Sequence, residues 1–216
     1  PALAAGNTVV AKPSEITPMT AFLFSKICQK AGLPKGVLNI VHGYGNKVGD
    51  ALCRHPDVPI ISFTGGTATG EKIASASAPM FKKMSLELGG KNPNIVFEDA
   101  DLDNAVNMAT KAAFSNQGQI CLCGSRLFVQ ESIYNDFRSA IIEETKTLQV
   151  GDPQDEKSNL GAVVSKEHMD KILGCIEQAK EEGGEILTGG NRLLLNGDLK
   201  DGYYIEPTII DGLSVD

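Results

Sequence analysis

Short apolar runs alternate with helix-patterned stretches along this chain, and a glycine or proline stands at nearly every junction. That rhythm leaves few folds open, because strands joined through a helix pair in parallel by right-handed crossovers. Residues 7–11 read as a short buried strand, closed by Lys12-Pro13. Thr17 and Pro18 then open a helix, Phe24, Ile27, Cys28 and Ala31 recur at helical spacing on one face, and Gly32 ends it. A strand at 37–41 turns at Gly43-Tyr44-Gly45 into a helix carrying Val48 and Leu52. A strand at 60–63, a turn at Thr64-Gly65-Gly66 and a helix over 67–78 come next, before a strand at 84–88 that Gly89-Gly90 halts. These elements predict a doubly wound parallel α/β sheet of the nucleotide-binding type.

After Lys91 the rhythm restarts. A strand at 95–97 precedes a helix face of Leu102, Ala105, Val106 and Ala109; a strand at 126–130 precedes a helix over 133–148. A polar loop at 151–159 leads to a helix with Met169, Ile172, Leu173 and Ile176 on one side. A domain boundary is therefore expected at Gly89-Gly90, giving one α/β domain over 1–89 and a second over 90–216. The chain carries no internal repeat and no low-complexity tract.

Composition narrows the partners. With 216 residues, 42% hydrophobic and 22% charged, the chain has an ordinary globular make-up and enough length for one large or two small cores. Twenty basic against 27 acidic residues leave −7, which argues against nucleic acid as a partner. No apolar run reaches the roughly 18 residues of a membrane helix, and no signal segment opens the chain, so no membrane role is expected. Five cysteines, an odd number, point to reduced thiols in a cytoplasmic setting. The opening Pro1-Ala2-Leu3-Ala4 and an end at Asp216 without a readable terminating element lead us to expect a piece of a longer protein.

Two segments carry chemistry. In Asn116-Gln117-Gly118-Gln119-Ile120-Cys121-Leu122-Cys123, a thiol follows a glycine-containing loop whose backbone N–H groups could face a developing oxyanion. In Leu86-Glu87-Leu88-Gly89-Gly90-Lys91, a carboxylate stands in an apolar strand, where a charge is unusual unless paired or functional. Each has a plainer reading: buried cysteines acting as small hydrophobes, and an outward-facing glutamate on an edge strand. A metal site is the poorer choice, since one C-x-C pair supplies two ligands and His42, His55 and His168 lack ligand spacing. Cys28, Cys53 and Cys175 fall on or near apolar helix faces and read as structural.

Both segments, their order and their 34-residue separation resemble the active-site signatures of the NAD(P)-dependent aldehyde dehydrogenase superfamily. The resemblance runs from Pro1 to about Pro207. It implies a partial Rossmann-like cofactor domain followed by the start of the catalytic domain, with Cys121 as nucleophile and Glu87 as general base. Members that pass the acyl group to coenzyme A generally lack this glutamate, so its presence implies release of a free acid. The resemblance also implies cofactor contacts at Lys12, Glu15, Gly45, Gly49, Phe63, Thr64, Gly65, Gly66, Gly70 and Leu88.

Glu15 would accept from the ribose hydroxyls and repel a 2′-phosphate, favouring NAD over NADP. Gly43-x-Gly45-x-x-x-Gly49 is one residue longer than a dinucleotide fingerprint, and Glu71 after Gly70 excludes a P-loop. Gly66 stands where many family members carry serine. The Gln-Ile-Cys-Leu-Cys stretch is similar to the branch that acts on 2-aminomuconic semialdehyde. A small aldehyde substrate and a homo-oligomeric parent, dimer or tetramer, are implied. Family segments that supply an oxyanion-hole asparagine and a second ribose contact would lie outside this stretch, so the piece alone should bind NAD poorly and turn over nothing. The rival expectation is a non-catalytic structural or binding relative of the same fold.

Overall fold

The computed structural model describes residues 1–214; Val215 and Asp216, at the end of the second expected domain, lie outside the described residues. The chain divides into two compact units, Pro1–Gly89 and the residues from Gly90 onward.

The first unit holds two strand–helix–strand repeats. Strand β1 (Val9–Ala11), helix α1 (Met19–Lys30) and strand β2 (Leu38–Ile40) form one, and β1 pairs with β2 in parallel, Val10 opposite Asn39. A five-residue π-type turn, Gly45–Gly49, then leads into helix α2 (Asp50–Arg54). Strand β3 (Ile60–Gly65), helix α3 (Thr67–Ser77) and strand β4 (Lys83–Leu88) form the second repeat, with β3 and β4 parallel over six residue pairs. Helix α2 packs on α3. Cys53, Gly70, Ala76 and Ser77 are buried there, and the Lys82 ammonium, also buried, donates to the His55 carbonyl at 2.5 Å.

The second unit repeats the pattern once. Strand β5 (Pro93–Val96), helix α4 (Leu102–Phe114) and strand β6 (Arg126–Val129) form it, with β5 and β6 parallel. Helix α5 (Tyr134–Lys146) follows and packs on α4. Val96, Val106, Ala109, Phe137 and Ile141 make the core between them. Asp101 caps α4, its carboxylate accepting from the Asn104 N–H at 2.9 Å. Ser165 caps helix α6 (Lys166–Glu181) through the His168 N–H in the same way.

Beyond α6 come nested antiparallel pairs that sequence periodicity did not predict. Strands β7 (Glu185–Thr188) and β10 (Ile209–Asp211) enclose β8 (Arg192–Leu193) and β9 (Tyr204–Ile205). No α-helix separates these four strands, so the strand–helix alternation that marked the others is missing here. At the turn after β7, Gly189 has φ +73°, and any side chain there would run into the Pro207 carbonyl.

Three expectations need correction. Residues 7 and 8 are not in a strand, and β1 is not buried: Val10 is exposed. No residue of α1 is buried, and Phe24 and Ile27 of its expected core face are 51% and 61% exposed. Periodicity identifies a face that gains from burial; whether another element covers it is decided elsewhere in the fold. Cys175 is exposed and Cys28 half-buried, so of the three cysteines read as structural only Cys53 is a core residue.

Candidate active site

The residues singled out in the first unit gather at the carboxyl ends of its parallel strands, the usual place for ligands in open α/β sheets. After β1, Pro13 closes the strand, and the Lys12 side chain turns to meet three acceptors. Its ammonium lies 2.6 Å from the Pro13 carbonyl, 3.2 Å from the Gly43 carbonyl and 3.3 Å from the Glu15 carboxylate. The Glu15 carboxyl is held below its ordinary value by backbone N–H donation from its own residue first, then by Lys12, and also by the Gly45 N–H. Lys12 and Glu15 thus bridge the ends of β1 and β2. Beside them opens a cleft of about 450 Å³ lined by Pro13, Ser14, Glu15, His42, Gly43 and Tyr44.

Gly43 has φ +150°, and a side chain there would strike Val48. The Lys12 stem runs 3.9 Å from where a Cβ on Gly49 would sit. Gly45 and Gly49 start and end the π-type turn that joins this cleft to α2.

The ends of β3 and β4 bring the remaining candidates of this unit together. Thr64 pairs with Glu87, and Gly65 with Leu88. Gly66 precedes α3 without a side-chain cap, and its carbonyl accepts from the Thr69 and Gly70 N–H groups. The N–H groups of Thr67 and Ala68 therefore remain open at the positive end of the helix dipole, a setting suited to phosphate. Gly70 is buried for a packing reason: a Cβ there would fall 2.6 Å from Leu88 Cδ2. A Cβ on Gly65 would fall 2.5 Å from the Phe63 ring, so the ring can lie across the backbone at the strand end. Leu86 and Leu88 are half-buried while Glu87 is exposed, as strand alternation dictates.

The thiol segment lies in the second unit, in a turn between α4 and β6. Asn116 and Gln117 adopt left-handed backbone conformations, φ +50° and +56°, and Gly118 follows at +71°. Two consecutive non-glycine residues in this region are costly, of order 1–3 kcal/mol each, and mark a backbone held in shape by its surroundings. The Asn-Gln-Gly triplet was a signal for this turn, since asparagine and glycine tolerate the left-handed region best. Gln119 secures the turn: its side-chain oxygen accepts from the Val164 N–H at 3.3 Å and its side-chain nitrogen donates to the Asn116 carbonyl at 3.4 Å.

The two thiols separate clearly. Cys123 is buried, 6% exposed, and its sulfur donates to the Ser115 carbonyl at 3.9 Å. Cys121 is exposed. The Cys123 N–H donates to the Ile120 carbonyl at 3.1 Å. Because carbonyl and N–H of a trans peptide point in opposite directions, the Cys121 N–H is directed away from that bond, and no described residue accepts from it. The turn therefore presents an open thiol and an open backbone donor on the same residue, the pairing an acyl-transfer site needs. Among the described residues no group of three histidine, cysteine, aspartate or glutamate side chains could hold a metal ion, and no helix is long and apolar enough to cross a membrane.

Known proteins share both the sequence and this architecture. The family model described as "Aldehyde dehydrogenase family" matches residues 1–216. A 2-aminomuconic semialdehyde dehydrogenase of Mus musculus is 51% identical over 212 residues, 97% of this chain and 44% of the relative. The 4-trimethylaminobutyraldehyde dehydrogenase A of Danio rerio is 47% identical over 98% of this chain and 42% of its own length. Among solved structures, HpcC of Thermus thermophilus superposes with a TM-score of 0.95 at 42% identity, covering 98% of this chain and 42% of that one. The betaine aldehyde dehydrogenase of Staphylococcus aureus, in complex with NAD+, gives 0.91 at 43% identity over 96% of this chain and 41% of its own. This chain thus spans less than half the length of the curated relatives it matches. With the family model matched from end to end, and with a fold shared with solved structures of like sequence, the chain belongs to the aldehyde dehydrogenase family.

Proposed function

We propose that this chain carries the cofactor cleft and the nucleophile turn of an NAD-dependent aldehyde dehydrogenase that releases a carboxylic acid. The observation that carries the reading is the exposed Cys121 in a strained turn with its own N–H open beside it. Residues 1–89 form the cofactor-binding domain, and the residues from Gly90 begin the catalytic domain. Lys12 and Glu15 would hold the adenosine ribose, and the N-terminus of α3, with Gly65 and Gly66, the pyrophosphate. The strand-end cleft and the open α3 N–H groups fit such a dinucleotide. Glu15 favours NAD over NADP, since its carboxylate would repel a 2′-phosphate.

The Cys121 thiolate would attack the aldehyde carbon, and the resulting oxyanion would accept from the Cys121 N–H. Bound NAD+ supplies a two-electron acceptor for the hydride that leaves that carbon, which turns the thiohemiacetal into a thioester. Glu87 would take a proton from water, the hydroxide would attack the thioester, and the acid would leave with regeneration of the thiolate. An exposed carboxylate here is compatible with this role once substrate and cofactor exclude water from the site.

The substrate is a small semialdehyde of the 2-aminomuconic type, a reading supported by relatives of 49–51% identity bearing that name. The parent is a cytoplasmic homo-oligomer, and this stretch by itself binds NAD weakly and is inactive. In the full natural protein, Cys121→Ala abolishes aldehyde-dependent NADH formation and removes the fastest iodoacetamide label, leaving the exposed Cys175 to react slowly, whereas Cys123→Ala retains both. NADH formation by Cys121→Ala at the wild-type rate would end the assignment.

A further inference from the structure

Resting on that reading, we infer that Asn92 is a positioning residue for the Cys121 nucleophile. Its side-chain amide donates to the Cys121 carbonyl at 2.6 Å and to the Cys123 carbonyl at 3.3 Å, across 29 and 31 residues of sequence. The Ile120–Cys121 peptide is already fixed by the bond from the Cys123 N–H to the Ile120 carbonyl. Asn92 fixes the next peptide, Cys121–Leu122. With both peptide planes that flank the Cys121 α-carbon held, its φ and ψ are set, and so are the direction of the Cα–Cβ bond that carries the thiol and that of the open N–H.

Asn92 itself has little freedom. Its carbonyl accepts from the Arg126 N–H at 3.2 Å, the Arg126 side chain donates to the Lys91 carbonyl at 3.0 Å, and Pro93 follows in register with Arg126. The asparagine thus transmits the rigidity of the β5–β6 pair to a turn whose left-handed residues would otherwise relax. A neutral amide suits this task. It donates two N–H bonds to two carbonyls and brings no charge toward a neighbouring thiolate.

The test uses the full natural protein with Asn92→Ala and the near-isosteric Asn92→Asp, which keeps the shape and loses the donors. Both lower kcat roughly 10- to 100-fold, the range expected for a misplaced reacting group, while KM for NAD stays within about twofold. Both also change the rate at which iodoacetamide alkylates Cys121 at one fixed pH, by at least about threefold in the uncharged Asn92→Ala. A variant that merely loosened the fold would lower the melting temperature and leave that rate in place. An unchanged alkylation rate together with kcat within about twofold of wild type, in either variant, would overturn the inference. The alkylation rate needs no turnover, so wild-type protein that oxidises no aldehyde would count against the proposed activity and leave the positioning role standing on its own measurement.

Discussion

At Glu87 the local chemistry is simple: an exposed carboxylate beside Thr64, at the end of a strand whose neighbours face inward. If it activates the water that cleaves the thioester, Glu87→Gln slows only the second half of the reaction. Rapid mixing should then show a burst of about one NADH per active site followed by steady turnover at least ~100-fold below wild type, the usual size of a lost general base. Loss of the burst itself would assign Glu87 to an earlier step. Glu15 and Lys12 differ from Glu87 in that both charges are already paired with each other and with backbone, so the proposed cofactor would meet a geometry already set. Pre-arranged donors and acceptors spend less ordering entropy on binding.

Among the elements, α5 is tied to the closing strands by one polar group of residues. The Tyr134 hydroxyl donates to the Asp211 carboxylate at 2.5 Å, and Arg138 donates to Asp211 and Glu185, both at 3.0 Å. The Tyr134 hydroxyl, first, and then the Arg138 guanidinium hold the Asp211 carboxyl below its ordinary value of 3.8, while the same contact raises the Tyr134 hydroxyl above 10.0. A lowered carboxyl contributes stability that is full above 3.8 and is lost as pH falls through the lower folded value. A raised phenol contributes below 10.0 and loses it as pH climbs through the higher folded value. Asp211→Asn should therefore lower the urea midpoint by a constant amount between about pH 5 and pH 9. The gap to wild type should close below about pH 3.8 and above about pH 10. A gap that persisted unchanged at about pH 3 would remove the carboxylate from this role.

Over the whole chain, burial is unevenly shared. The second unit has a contiguous apolar core of Val96, Val106, Ala109, Phe137 and Ile141, whereas α1 in the first unit buries no residue. Local opening costs least where few apolar contacts must be broken. Hydrogen exchange on the 216-residue chain should accordingly show α4, α5, β5 and β6 protected well beyond α1. Equal protection factors in α1 and α4 would contradict this distribution of stability.

Much of this was readable before any coordinates. Among the described residues, six helices and six of the ten strands stand where helical periodicity and short apolar runs between turn residues put them, because both signals are local. The glycines at 43, 65, 66 and 70 were visible as turn or packing positions for the same reason, and family motifs singled out Cys121 over Cys123. The exposure of Cys121 and the burial of Cys123 were not readable, nor were the left-handed run before them and the Asn92 amide behind them. The two cysteines are near neighbours with identical side chains, and only the direction of the chain between α4 and β6 separates them. A hydrogen bond across 29 residues leaves no periodic trace. Local residue order was enough to mark the helices, the parallel strands and the residue types available for thiol chemistry. The tertiary structure alone decided which thiol is open, which backbone donor stands beside it and which apolar faces find a partner, because these depend on contacts between segments far apart in the chain.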